Sequence, residues 1–541
     1  MPLYKKILIG IAGLALFLLL LNYGLSTYIS YRLPAILHEE KDFPYDISYD
    51  DLDINILSGS FTMHNATMAP KDTIVKDFKK GVYAKVKAVK VQNFSLWALL
   101  GSDKIKMNRV ILDTPEVILY DREKKYNVQD DFVKPFRQTI TTGSLGIING
   151  KLRMLDKDQN LSLLASKINF EIEDIKIDSA IAKEDIPVRY SDYKFSCDSV
   201  FYRIDKFYDM TATKVINSDS SLTIKNFRLT PKYSKADFTK SLKVEKDLFN
   251  VTVKQINVPS AQWGYYRDEL FVYTPNVILN SMRANVYRNK LPADDPTVKK
   301  MYSELLRSIK FDLKAEKVQI KDSHIQYEEQ LDFSKPAAKV IFADFYATIH
   351  NLYSPVNKKD LPLTTIDAQC MFMGVSPFKV SWSFNTLNKN DAFTIKGNLQ
   401  RMRSEHLNRI VKPLMNITTE GLIKNVYFSY AGNKHNATGN FAMNYEGLKV
   451  KVFEEDGKEK KGFMTTLGNL IIKDDSDDKS KQTQIEVTRA KDKSFFNFLW
   501  LCTQDGIRKA ILPKIVEKAL PDVKPAKEKK KRRRDRKRDK D

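Results

Sequence analysis

The chain has 541 residues, 43% of them hydrophobic and 29% charged, with 89 Lys and Arg against 67 Asp and Glu for a formal net charge of +22. That composition is too apolar and aromatic for a disordered chain, and Gly and Pro at 20 each exclude collagen-like or Gly/Pro-rich low complexity. Three cysteines more than a hundred residues apart, Cys197, Cys370 and Cys502, form neither a disulfide framework nor a CxxC metal or redox pair.

The first element is a 23-residue run without charge, Ile7 to Ile29. As a helix it would span about 34 Å, enough to cross a hydrocarbon core of about 30 Å. Lys5 and Lys6 precede it, while Glu39, Glu40 and Asp42 soon follow Arg32, so the positive-inside bias keeps the N-terminus cytoplasmic and exports the rest. Gly24 and Ser26 offer a cleavage site, but the run exceeds a signal-peptide core and Tyr23, Tyr28 and Tyr31 resemble an interfacial belt, which favours a single-pass anchor. Residues 1–32 are the cytoplasmic stub and anchor.

The body alternates apolar and polar residues, the mark of half-buried antiparallel strands. The apolar members are Ala84, Val86 and Ala88; Ile168, Phe170 and Ile172; Leu222 and Ile224; Val318 and Ile320; Val426, Phe428 and Tyr430; and Leu448, Val450 and Val452. Helical spacing is confined to three places: Val298 to Ile309 behind Asp295 and Pro296, Leu407 to Leu414 behind Ser404, and the segment from Phe495 after Ser494 to about Leu520, with a break near Pro513.

Sliding the chain along itself by about 160 residues aligns FTMHNATMAPK (Phe61–Lys71) with LTIKNFRLTPK (Leu222–Lys232), and TPEVIL (Thr114–Leu119) with TPNVIL (Thr274–Leu279). Hairpin-like strand pairs follow near Ile148 to Leu155 and near Ile320 to Tyr327. The division expected is two related β units, 46–215 and 216–360, a third β region, 361–490, a helix over 494–520, and a basic tail, 521–541. From Lys524 to Asp541 the tail holds 12 basic and 4 acidic residues, Lys529, Lys530, Lys531, Arg532, Arg533, Arg534, Arg536, Lys537 and Arg538 among them. On an exported C-terminus these contact anionic head groups rather than nucleic acid.

The anchor followed by LDINILSGSFTMHNATMAP (Leu52–Pro70), the TPxVIL strands, FTIKGNLQRM (Phe393–Met402), KPLMNI (Lys412–Ile417), GLIKNVYFSYAGN (Gly421–Asn433), GNFAMNYEGLKVKV (Gly439–Val452) and SFFNFLW (Ser494–Trp500) together resemble the AsmA-like superfamily of envelope proteins, in its Bacteroidetes-type form. The resemblance implies a mainly β chain, an elongated antiparallel sheet curled into an apolar groove, related to bridge-like lipid transfer proteins. It also implies residence in the bacterial inner membrane with the bulk periplasmic, and a phospholipid or other diacyl lipid as cargo between inner and outer membranes. Roughly thirty strands at about 4.8 Å would extend about 140 Å. A non-catalytic scaffold that docks envelope proteins through the C-terminal helix and tail is the alternative, and alternation does not separate a groove from a packed core. No HExxH, Walker A, GxSxG or GxGxxG occurs, and His38, His64, His324, His350, His406 and His435 lack ligand spacing, so neither catalysis nor a cofactor is expected. The acidic run Asp474, Asp475, Asp477 and Asp478 lacks the Gly and Glu of a calcium loop and reads as a solvated turn.

Overall fold

The computed structural model describes residues 45–55, 58–71, 81–95, 104–120, 139–178, 180–181, 188–218, 220–266, 269–453 and 481–511. The anchor Ile7 to Ile29, the acidic run and the basic tail lie outside the described residues. Strands take 65% of the described residues and helices 11%, and the 25 strands among them join in one large curved sheet.

The sheet is built almost in chain order. β1 (Tyr45–Ser48) and β2 (Asp51–Asn55) are halves of one broken strand antiparallel to β3 (Ser60–Pro70). β4 (Gly81–Gln92) and β5 (Lys104–Tyr120) follow antiparallel, β5 runs parallel to β6 (Thr139–Leu155), and β7 (Leu161–Ile177) returns. Two more broken rows come next, β8 (Tyr193–Cys197) with β9 (Ser199–Arg203), then β10 (Tyr208–Ala212) with β11 (Lys214–Ser218). β12 (Ser221–Pro231) is followed by α1 (Lys235–Ser241), whose first turn is capped by Ser234 Oγ accepting from Asp237 N. β13 (Asp247–Pro259) continues into the hairpin of β14 (Gln262–Tyr266) and β15 (Glu269–Thr274), and β16 (Val277–Asn289) pairs back on β13. A crossover holding α2 (Tyr302–Arg307) leads to β17 (Asp312–Gln330), parallel to β15 and β16. β18 (Ala338–Tyr353), β19 (Thr364–Phe372), β20 (Ser376–Phe384), β21 (Phe393–Leu399) with β22 (Met402–Arg403), β23 (Ile417–Gly432), β24 (Asn436–Val452) and β25 (Lys481–Thr488) complete the ladder, all antiparallel. α3 (Asn408–Met415) lies between β22 and β23, and α4 (Phe495–Ile511) follows β25.

Because β1/β2, β8/β9, β10/β11, β13/β14, β15/β16 and β21/β22 each share a row, the 25 strands stack in 19 rows. At about 4.8 Å per step the ladder is about 86 Å long. Over the described residues the ladder is shorter than the ribbon expected from sequence: β5, β6, β7 and β24 have 17 residues each and β17 has 19, so each row consumes more chain than an ordinary strand. The boundary expected at 215 falls inside β11, and the three expected β regions share the one sheet.

A crease crosses the sheet. Asn65 (φ 50°), Thr114 (49°), Asn149 (54°), Lys167 (51°), Asn226 (48°), Ser281 (54°), Asp322 (51°) and Asp344 (47°) are left-handed residues within strands, and the register sets them on one line across the sheet, with Lys87 and Lys254 on the same line in β4 and β13. The breaks at Asp198 and Thr213 fall on the same line. Asn and Asp tolerate this conformation because their short polar side chains bond locally. Asn65 Nδ2 donates to Asp50 at 2.9 Å, Asn226 Nδ2 to Thr213 at 2.8 Å, and Ser281 Oγ to Asp322 at 3.3 Å. The crease inverts the in–out alternation, so Met63 and Ala66, three positions apart, enter one apolar cluster with Val86. Asn65 and Asn226, shared by the two aligned segments, occupy matching places on it. The TPxVIL segments do not: Thr114 lies on the crease, whereas Thr274 closes β15, its hydroxyl bonding Asn276 at the break before β16, and the crease residue there is Ser281.

Helices form over the second expected segment and over the third as far as Ile511, and the stretch from there to Leu520 with the break near Pro513 lies outside the described residues. Ser404–Leu407 is a 3-10 turn leading into α3, which Asn416 (φ 58°) ends, and Ser494 Oγ caps α4 by accepting from Asn497 N at 3.2 Å. The helix expected behind Asp295 starts only at Tyr302. Asp295 instead accepts from Thr297 N at 3.0 Å in a local turn, and Lys299 N donates to Lys491 O at 2.8 Å, which keeps 295–300 out of a helix.

Candidate functional site

Residues paired across adjacent strands share a face, so the register lists what lines each side. On one side of the crease Phe61, Val91, Val110, Leu145, Ile172 and Tyr193 succeed one another over six strands, and beside them run Met63, Val89, Leu112, Ile147, Phe170 and Phe195. Beyond the crease the same face carries Met68, Ala84, Val117, Leu152, Ala165 and Val200. Small members such as Ala165 and Val91 are buried, but Phe61, Leu112, Ile147, Phe170 and Phe195 stay half-buried. The opposite face is polar, with Lys90 and Asp113 at 3.5 Å and Arg109 and Glu171 at 3.3 Å.

The apolar face continues through Ile224, Ile256, Leu279 and Ile320 to Ala347, Ala368 and Val380, and through Val318, Ile349 and Ile366 to Trp382, Ile395 and Tyr430. Here its surroundings change. The crossover from β16 to β17 brings Met301 and Leu306 onto it, and α4 adds Phe495, Phe498, Cys502 and Ala510. Trp382 stacks on Phe495 at 4.8 Å, Phe393 meets Phe498 edge-on at 6.2 Å, and Phe441 and Phe498 are 0% and 1% exposed. Gly506 permits this approach: a Cβ there would stand 2.4 Å from Phe441 Cγ. α3 touches both β18 and β23, four rows apart. Polar bonds close the arrangement: Arg307 meets Asp391 at 2.5 Å, Ser303 donates to Asp391 at 2.7 Å, and Lys493 reaches Asp294 at 3.1 Å and Glu245 at 3.5 Å. The segment after β25 thereby joins the crossover after β16.

The residues singled out by alternation divide between these settings. Ala84, Val86, Phe170, Ile172, Leu222, Ile224, Val318 and Ile320 lie on the apolar face. Ile168 sits at the crease beside Gly150, where an added Cβ would crowd Ile147 at 2.9 Å. Ala88 is buried but pairs with His64 and Asp113 on the polar side, because the apolar set of β4 passes to Val89 and Val91. Val426, Phe428, Tyr430 and Leu448 pack in the cluster with α4, Val450 is exposed, and Val452 pairs with Ile417. The basic residues 529–538 lie outside the described residues. Alternation missed Val89, Leu112 and Ile147; the shift of parity within GVYAKVKAVKV is the signal that finds Val89, and the register then carries it to the other two.

Burial raises all three thiols, Cys370 and Cys502 to about 12, and all three are free. Among the described residues no group of three or more His, Cys, Asp or Glu side chains converges as a metal site, and no helix is long and apolar enough to cross a membrane. No protein-family model and no curated protein matches the chain.

Proposed function

We propose that the chain is an AsmA-like envelope protein, anchored in a bacterial inner membrane by Ile7 to Ile29, that binds glycerophospholipid or another diacyl lipid along the apolar face and conducts it toward the outer membrane. The observation that carries this reading is the half-buried state of large side chains from β3 to β8, where Phe61, Leu112, Ile147, Phe170 and Phe195 leave part of their surface to solvent. Each acyl CH₂ laid on such a face gains about 0.8 kcal/mol, while the head group stays in water. Successive rows repeat similar side chains, so neighbouring positions differ little in energy and a bound lipid slides along them.

Charge on this face tests the proposal. Phe170→Asp with Leu112→Asp changes half-exposed positions and leaves the C-terminal cluster intact, so the variant stays folded and lipid transfer between donor and acceptor vesicles is lost. Transfer by the folded variant at the native rate contradicts the reading. A second reading, a non-catalytic scaffold for envelope proteins, is favoured by the C-terminal third, where α2 and α4 fill the same face with protein side chains.

A further inference from the structure

Four exposed apolar side chains stand on α2 and α4. Leu305 (46% exposed) stands on the outer side of α2, whose inner side buries Ser303 and Leu306, and Tyr302 packs its ring edge-on against Trp382 and Phe495 while leaving 38% of its surface exposed. On α4, Phe496 (62%) and Trp500 (41%) face outward one turn apart, while Phe495, Phe498 and Cys502 are buried. The Tyr302 and Phe496 rings lie 6.1 Å apart and make the two groups one patch. Exposed Lys300 and Lys491 flank it on segments joined by the bond from Lys299 N to Lys491 O. A contiguous patch of this kind is an interaction surface.

We propose that the α2–α4 patch docks on the surface of an anionic phospholipid bilayer. Phe, Tyr and Trp on an outward helix face suit the head-group boundary, where their rings are half in and half out of the apolar phase. The sequence beyond Ile511 supplies the matching charge, since Lys524 to Asp541 carry 12 basic and 4 acidic residues, a polybasic segment attracted to anionic head groups. Position supports the same partner. α4 packs on β24 and β25, the last rows of the ladder, whereas Ile7 to Ile29 precede the first, so the two membrane contacts belong to opposite ends of a sheet about 86 Å long. The inference rests on the lipid-conducting reading for the purpose of a second membrane, but docking and conduction are measured separately.

The full chain in phosphatidylcholine nanodiscs is floated with vesicles containing phosphatidylglycerol. The nanodiscs rise with the vesicles, high salt weakens the association, and Phe496→Ser with Trp500→Ser reduces it about tenfold or more. Tyr265→Ser, at an exposed aromatic of the β14–β15 hairpin, leaves flotation unchanged. Native protein that stays behind, or a double variant that floats as well as the native chain, overturns the proposal, and the first result leaves the patch to a protein partner. Labelling of the same double variant by a phospholipid with a photoreactive acyl chain remains native on the rows from β3 to β8, so loss of docking is distinguishable from loss of acyl binding.

Discussion

The two ends of the sheet carry the same alternation and reach different states. In the rows from β3 to β8 the fully buried apolar residues include small ones such as Ala66, Val86, Val91 and Ala165, and large residues such as Phe170 remain half-buried. In the rows from β20 to β25 large aromatic residues are among the fully buried ones, with Phe393, Tyr430, Phe441 and Tyr445 all under 5% exposed. Face and cover are separate properties. Period two fixes which side chains share a face, and a crossover or helix arriving from elsewhere in the chain decides whether that face becomes a core.

If the difference is real in energy, equal truncations cost unequal amounts. Phe441→Ala leaves a cavity beneath α4 and lowers stability by about 3–5 kcal/mol, whereas Phe170→Ala costs about 1 kcal/mol, both read from urea midpoints. Equal costs would erase the comparison. Arg307→Ala acts on the cover itself: it strands Asp391, 2% exposed, and loses about 3–5 kcal/mol, which Arg307→Ala with Asp391→Asn partly restores. The crease is common to the open rows, and Asn65→Val forces a β-branched residue into φ 50° at a cost of about 1–2 kcal/mol, while Asn65→Gly is near neutral.

Thiols sharpen the comparison through pH. Cys370 and Cys502 hold their protons to about 12 in the folded chain, while unfolded thiols ionise near about 8.5. The folded state therefore retains protons that the unfolded state releases. Their contribution is complete below about pH 8.5 and is lost as pH rises through that value toward 12. Thiol labelling at pH 8 should follow unfolding for both residues. Fast labelling of Cys502 in folded protein would mean that α4 does not cover its strands.

Much of the fold is legible in sequence because half-buried strands alternate visibly, as in Val318 and Ile320 or Val426 and Phe428. The crease was not, because a left-handed Asn or Asp inside a strand looks like an ordinary polar position until the register shows it beside another. Ala88 falls on the polar side, opposite to Ala84 and Val86, for that reason. The non-helical run before Tyr302 has a long-range cause, the bond from Lys299 N to Lys491 O, which no window of local spacing contains. The fate of Tyr430 was equally nonlocal, since its cover arrives some seventy residues later in α4.

The most direct test is photolabelling of the full chain with a phospholipid whose photoreactive group sits in the acyl chain, followed by mapping of the labelled peptides. Label concentrated on Phe61 to Ile172, and sparse on Phe393 to Phe441, is the predicted result. No label in those open rows, with the protein folded, would contradict an acyl-binding face.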